Sequence, residues 1–204
     1  AALQEAYVSH GTAFRSSRGD LGVAVSLLTR WNGRADRDAV GMALFERWQE
    51  VCREGGRTVN VRHILTRQKL GEGTKRALLE CLAEAAGQLK AESGRLKVSW
   101  KELNRLRRSE RSWGISGSAG VGVEVLRAVS TRTDGMIDYG VSGQSCTTVI
   151  VFRGPGRVES FSAVPYGQSD DPRSPHGWDQ AEALFSRDRL KPTGYRRGGS
   201  APSG

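Results

Sequence analysis

The sequence has few of the residues that build small cross-linked or metal-held folds. Only three cysteines occur in 204 residues, Cys52, Cys81 and Cys146. They are too few and too widely spaced for a disulfide scaffold or a zinc site. No run of about 18 apolar residues is present, so no transmembrane helix is encoded. The N-terminus has no basic stretch followed by an apolar core, and we expect no signal peptide within this chain.

Excess positive charge is the strongest compositional feature. The net charge is +9 and the isoelectric point is near 10.0, values that are common in nucleic-acid-binding proteins. The excess is spread evenly over both halves of the chain, and a charged fraction of 26% argues against wholesale disorder. A nucleic-acid-binding module is therefore kept as an alternative hypothesis.

One basic cluster could serve such binding. It comprises Lys101, Arg105, Arg107, Arg108 and Arg111, with Trp100 and Trp113 at its ends. Arginines could contact phosphates while the indole rings stack on bases. The alternative is a solvated turn whose arginines pair with carboxylates elsewhere, and we favour this second interpretation.

The first half of the chain is predicted to be helical. Residues 1–19 are polar and indicate an irregular segment, after which apolar spacing predicts helices over 21–31, 39–52 and 75–90. Asp38 is the expected N-cap of the second helix. The stretch Trp100 to Arg108 is expected to form a short helix or turn. Helical structure should thus dominate residues 21–110.

The second half is predicted to be rich in strands, over residues 121–165. The candidate strands are 121–129, 147–152 and 157–164, and Gly154-Pro155-Gly156 indicates a hairpin turn between the last two. The strand 147–152 is apolar on both faces, which indicates a sheet covered on both sides. Ser174-Pro175 predicts the start of a terminal helix over 175–188, and residues 193–204 read as a disordered tail. Helices followed by strands predict an α+β fold.

Residue chemistry alone does not reveal an active site. The three histidines, His10, His63 and His176, occur singly, and none has a partner at metal-ligand spacing. His176 and Asp179 should share a helical face, where a surface contact is the expected meaning. Ser145 precedes a strand without the Gly-x-Ser-x-Gly pattern of a nucleophile elbow.

Two further features are interpreted structurally. Cys146 borders an apolar strand and is expected to be a small buried hydrophobe. The Gly-rich loop 114–122 matches no phosphate-binding pattern, and we interpret its glycines as places where backbones pass close together.

Four stretches of the sequence form a recognisable pattern. The most specific stretch is Tyr166-Gly167-Gln168-Ser169-Asp170-Asp171-Pro172-Arg173-Ser174-Pro175-His176, followed by Asp179-Gln180. Others are Trp100-Lys101-Glu102-Leu103-Asn104-Arg105-Leu106-Arg107, Leu28-Thr29-Arg30-Trp31-Asn32-Gly33-Arg34 and Gly41-Met42-Ala43-Leu44-Phe45-Glu46-Arg47-Trp48. The matches lie in order between residues 21 and 192. Together they resemble the C-terminal part of the β chain of the penicillin amidase (penicillin acylase) family, closest in form to its aculeacin and acyl-homoserine-lactone acylase branch.

The resemblance implies an N-terminal-nucleophile hydrolase that cleaves amides. In that family the first residue of the β chain supplies the attacking hydroxyl, and its own α-amino group serves as base. Residue 1 here is Ala, and the nucleophile, the oxyanion donors and the calcium ligands are expected upstream. No catalytic or metal residue can therefore be carried over to this chain, and its substrate-binding residues are unknown. Asn32 and Asn104 fall inside other matched segments and are not the oxyanion asparagine.

The resemblance also implies the location of the protein, its cofactor requirement and its partners. Residues 1–192 would be the C-terminal portion of an αββα sandwich in a periplasmic or secreted enzyme, with no cofactor held by this chain. Its partners would be the remaining α and β segments of the same precursor and an acylated small molecule, with neither nucleic acid nor membrane. A truncated, non-catalytic remnant is a further alternative. The segment Tyr166 to His176 would brace the strands or form a generic turn, and pairing of Cys52 with Cys81 is left open.

Overall fold

The computed structural model describes residues 2–14, 18–56, 69–119, 123, 127–155, 157–171 and 173–193. Within these ranges four α-helices come first: α1 Ala2–His10, α2 Arg18–Arg30, α3 Val40–Glu54 and α4 Glu72–Ser93. A short helix α5, Trp100–Leu103, leads into the strands. Near the end of the described chain lies α6, Asp179–Ala183.

The helices bury one large apolar core. The predicted stripes on α3 and α4 are confirmed, since Leu44, Trp48, Leu78, Leu82 and Leu89 are all fully buried. The Trp48 indole Nε1 donates to the Leu78 carbonyl at 3.1 Å, so the one polar atom of this buried ring is satisfied across the α3–α4 contact. Cys52 and Cys81 both lie in this core, one on each helix.

The first sheet has four strands in the order β2-β1-β4-β3. They are β1 Asn104–Arg108, β2 Arg111–Gly114, β3 Val129–Asp134 and β4 Ile137–Gly143. β1 pairs antiparallel with β2 and parallel with β4, and β3 and β4 form a hairpin. A second, smaller core of Leu106, Ile115, Val129 and Phe185 lies against this sheet.

The second sheet has three antiparallel strands in the order β5-β6-β7. They are β5 Thr147–Phe152, β6 Val158–Ala163 and β7 Lys191–Thr193. The predicted strands 147–152 and 157–164 and the hairpin between them are confirmed. Of the predicted strand 121–129 only Val123 and residues 127–129 are described, and β3 begins at its last residue.

The prediction that β5 is covered on both faces is wrong for the described residues. Val149 is 42%, Ile150 53% and Phe152 77% exposed. Apolar character on both faces shows what a strand could bury, but a covering layer has to be supplied by other elements.

The N-terminal prediction is also wrong, because residues 2–10 form α1 rather than an irregular segment. Ala2, Leu3 and Ala6 are buried against the other helices. Lys75 of α4 donates to Glu5 at 2.6 Å. Tertiary packing therefore stabilises a helix whose local signals are faint.

Three boundaries differ from their predictions. Asp38 is not the N-cap of α3; Ala39 occupies that position, and the Asp38 carboxylate accepts from Lys101 Nζ at 2.5 Å. Residues 104–108, expected to be helix or turn within the helical part 21–110, form β1 because they pair with β2 and β4. The expected helix 175–188 is broken into a 3-10 turn at Pro175–Gly177, α6 and a 3-10 turn at Phe185–Arg187.

The C-terminal end of the described chain is ordered further than expected. Thr193, predicted to begin the tail, is the last residue of β7 and pairs with Ser160 of β6, and residues 194–204 lie outside the described part.

Helices followed by antiparallel-rich strands confirm the α+β class. In the described ranges no helix is both long and apolar enough to cross a membrane.

Candidate functional site

The histidines singled out in the sequence make ordinary surface contacts. His10 Nε2 lies 2.7 Å from Glu72 Oε2. His176 Nδ1 lies 3.0 Å from Asp179 Oδ2, which confirms the expected contact, and both side chains are well exposed. His63 lies outside the described residues. Across the described ranges, no group of three His, Cys, Asp or Glu side chains has an arrangement that could hold a metal ion.

Ser145 and Cys146 lie in the link between β4 and β5. Both are exposed, so the expectation that Cys146 is buried is wrong. Its Sγ lies 3.5 Å from the Thr148 hydroxyl. Cys146 is exposed because it comes directly before β5, whose side chains are not covered by another layer of the described structure.

The basic cluster pairs with carboxylates as the second interpretation expected, but its side chains are on α5, β1 and β2 rather than on a turn. Lys101 pairs with Asp38 at 2.5 Å, Arg107 with Asp134 at 3.2 Å and Arg108 with Asp170 at 3.5 Å. The Arg111 guanidinium stacks 3.8 Å above the Trp178 ring, which also faces Trp113. Three of the five basic side chains are thus paired with carboxylates, and a fourth stacks on an aromatic ring.

Trp100 at the other end of the cluster is buried and cannot stack on a base. Its Nε1 donates to the Gly117 carbonyl at 2.7 Å. Asn104 is also fully buried, and its Nδ2 donates to the carbonyls of Ile115 at 3.2 Å and Gly117 at 3.1 Å. Both side chains therefore hold the start of the Gly-rich loop.

The glycines of that loop sit where backbones approach closely, as expected for residues 114–119; residues 120–122 lie outside the described part. A Cβ on Gly114 would be 2.2 Å from the Lys101 carbonyl oxygen. A Cβ on Gly117 would be 2.4 Å from the Arg127 carbonyl oxygen, and Gly117 has a φ of +98°, which disfavours any side chain. The loop is thus a packing feature.

The segment 166–177 braces the first sheet against α6. Gln168 N donates to the His176 carbonyl at 2.7 Å, and Ala181 N donates to the Tyr166 carbonyl at 2.7 Å. The Tyr166 hydroxyl donates to the Arg107 carbonyl in β1 at 3.3 Å. Burial raises the pKa of that phenol, which favours its neutral, hydrogen-donating form.

Short-range hydrogen bonds shape the same segment, as the sequence suggested. Asp171 N donates to the Ser169 hydroxyl at 3.2 Å and Arg173 N to the Asp171 carboxylate at 2.9 Å. The Ser174 hydroxyl accepts from His176 N at 3.2 Å, which confirms Ser174 as the cap of the turn that follows. The bracing interpretation of Tyr166 to His176 is favoured over that of a generic turn.

A partly buried arginine that sequence reasoning missed connects the terminal segment to the Gly-rich loop. Arg127 Nη1 lies 2.9 Å from Asp188 Oδ1 and donates to the Phe185 carbonyl at 2.9 Å. The Ser116 hydroxyl donates to Asp188 at 2.5 Å. We call Arg127, Ser116 and Asp188 the arginine clamp. Its members are 11 and 61 residues apart in sequence, so no local pattern could reveal it.

A cavity of about 410 Å³ lies beside this brace, bordered by apolar Leu106, Val129 and Phe185. Gln144 and Ser145 reach its edge, and Gln144 Oε1 is buried without a hydrogen-bond partner among the described residues. Such a cavity suits an apolar group that carries one hydrogen-bond donor.

Comparison with known proteins agrees with this geometry. A search of curated proteins finds no significant match. The family model described as penicillin amidase matches residues 2–198, which is nearly the whole chain. The α+β arrangement, with helices first and antiparallel-rich strands later, is consistent with a fragment of the hydrolases in that family. The chain therefore belongs to the penicillin amidase family, whose members are amidohydrolases.

Proposed function

We propose that this chain is the structural C-terminal part of a penicillin-acylase-type enzyme that removes an acyl group from an amide. The observation that carries the proposal is the penicillin amidase match over residues 2–198. The substrate would be a β-lactam, a lipopeptide or an acyl-homoserine lactone, as in the aculeacin and homoserine-lactone acylase branch. Residues 1–192 would form one structural unit, the C-terminal part of the β chain.

The amide-cleaving reaction of the family indicates which groups other segments would supply and what this chain would contribute. A chain-terminal hydroxyl residue attacks the amide carbonyl, and its own α-amino group, with a pKa of about 7.7–8.0, accepts the proton. Backbone and side-chain amides then stabilise the tetrahedral intermediate. In our proposal these groups and the calcium ligands belong to other segments, and this chain supplies the sheets and the brace at 166–177.

The partners would be the remaining α and β segments of the same precursor, in a periplasmic or secreted enzyme. Support comes from β5, where Val149, Ile150 and Phe152 present apolar surface to solvent. β5 is an edge strand of its sheet, so both its outer backbone edge and its apolar side chains can receive another segment. We expect those segments to cover it.

Activity measurements test the proposal. The chain is purified alone and after co-expression with the remaining segments of its precursor, and both samples are given chromogenic phenylacetyl and long-chain acyl amides. We expect turnover from the co-expressed assembly alone. Robust turnover by the isolated chain would overturn the proposal.

The role of β5 is tested by Phe152→Ser, with Val8→Ser as the matched control. Phe152 is 77% exposed and Val8, on α1, is 74% exposed, so neither change should lower the thermal unfolding temperature of the chain alone. Phe152→Ser should weaken co-purification with the other segments, while Val8→Ser should leave it unchanged. Equal co-purification of both variants with wild type would contradict the proposed interface.

A further inference from the structure

Glu46 of α3 lies at the junction between the helical core and the β3–β4 hairpin. Met136 at the tip of that hairpin packs against the helical core. A small cavity of about 40 Å³ separates the two elements beside it, and its lining includes Glu46, Glu50, Thr133 and Asp138. Three carboxyl groups from two different elements thus meet at one contact.

The charges at this contact are not balanced locally. Glu46 Oε2 is buried and has no hydrogen-bond partner among the described residues. Asp138 already accepts from the Thr133 hydroxyl at 2.7 Å. Arg47 donates to Glu92 of α4 at 2.7 Å and reaches Glu50 only at 3.5 Å.

Two further charged neighbours, Arg53 and Glu54, are on α3. Arg53 favours the ionised form of Glu46, and Glu54 disfavours that of Glu50. Burial, together with Glu50 and Asp138, raises the pKa of Glu46 to about 7. Burial also raises the pKa of Glu50. Glu46 therefore changes charge within the neutral range.

We propose that Glu46, Glu50 and Asp138 form a pH-sensitive carboxyl latch, in which a neutral Glu46 holds the β3–β4 hairpin against α3 and an ionised Glu46 loosens it. A protonated carboxyl is a donor that the neighbouring carboxylates can accept from, whereas an ionised one only accepts and repels them. Because the docked state binds the proton more tightly than the undocked state, docking weakens as the pH rises from the ordinary range of a glutamate towards 7.

Hydrogen exchange of the full chain tests the latch. Backbone amide exchange in residues 129–143 is measured at pH 6 and pH 8 and corrected for the intrinsic pH dependence of exchange. We expect protection of the hairpin to be about tenfold greater at pH 6, because the proton-linked stabilisation changes tenfold per pH unit below the pKa and levels off above it. Glu46→Gln keeps a neutral side chain at all pH values, so it should lose most of this difference.

The matched control is Glu84→Gln, which changes an exposed glutamate on α4 and should keep the wild-type pH dependence. The proposal is overturned if wild type shows no difference between the two pH values, or if Glu46→Gln keeps the wild-type difference. Should Glu46→Gln fail to fold, carbon-13 NMR titration of the wild-type Glu46 carboxyl decides instead. A midpoint near 7 supports the latch, and one near about 4 refutes it.

Discussion

At the scale of single residues, the Gly-rich loop shows how much depends on one missing side chain. Gly117 lies against the Arg127 backbone, and its carbonyl accepts from both Trp100 and Asn104. One backbone oxygen thus accepts hydrogen bonds from two buried polar side chains. The position tolerates glycine alone because φ is +98° and there is no room for a Cβ.

Gly117→Ala should destabilise the chain by roughly 1–3 kcal/mol, since it adds backbone strain and a steric clash. Gly87→Ala serves as the comparison, because Gly87 is exposed within α4 and its Cβ would meet no atom within 4 Å. That change should stabilise by about 0.5–1 kcal/mol through helix propensity. Urea unfolding measures both, and a destabilisation of the same size in the two variants would refute the argument.

At the scale of elements, the junction between α5 and β1 decides where helix gives way to sheet. Ser99 and Glu102 form a capping box at the start of α5, in which Ser99 N donates to Glu102 Oε1 at 2.9 Å. The chain then extends at Asn104 because β2 and β4 pair with it. A capped start and a paired strand together limit α5 to four residues.

Ser99→Ala should lower stability by about 0.5–2 kcal/mol at pH 7. Hydrogen bonds from the Ser99 backbone and the Ser99 hydroxyl lower the pKa of Glu102, and Ser99→Ala removes the one from the hydroxyl. The contribution of that bond to the ionised Glu102 is present at neutral pH and is lost as the pH falls through the lowered pKa. The stability difference between wild type and Ser99→Ala should therefore shrink in acid. Ser9→Ala, at an exposed position on α1, should be neutral, and a pH-independent difference for Ser99→Ala would argue against the capping box.

At the scale of the whole described molecule, contacts between distant segments hold the terminal elements in place. The arginine clamp connects the Gly-rich loop to Asp188, and the Arg37 guanidinium donates to the Ser186 carbonyl from the loop before α3. α6 and the turn after it thereby join the helical part to the first sheet.

Arg127→Ala should loosen the segment after α6 and accelerate its proteolysis, because it removes an ion pair and two hydrogen bonds that cross the molecule. Arg187→Ala is the matched control, since the Arg187 Nε contact to the Glu182 carbonyl at 2.9 Å is local and exposed. Limited trypsin digestion followed by mass spectrometry measures cleavage after Arg189. Equal cleavage rates in the two variants would contradict the clamp's role.

Local patterns were sufficient where a segment's own side chains decide its structure. The stripes of α3 and α4, the β5–β6 hairpin and the Ser174 cap follow from apolar spacing and turn chemistry. The motifs from residue 21 to 192 were also enough to indicate the penicillin amidase family, which the family match bears out.

Other features depended on contacts that only the folded chain creates. α1 is helical because it packs against the other helices and its Glu5 accepts a hydrogen bond from Lys75. β1 is a strand because it pairs with β2 and β4. The clamp joins residues 11 to 72 positions apart, and the carboxyl latch brings Asp138 to Glu46, 92 positions away. Sequence spacing carries no information about such pairs. Neighbouring residues could therefore be interpreted from sequence alone, because their geometry is set by the covalent chain. The contacts between distant residues were decided by tertiary packing, which alone determines which groups become buried together.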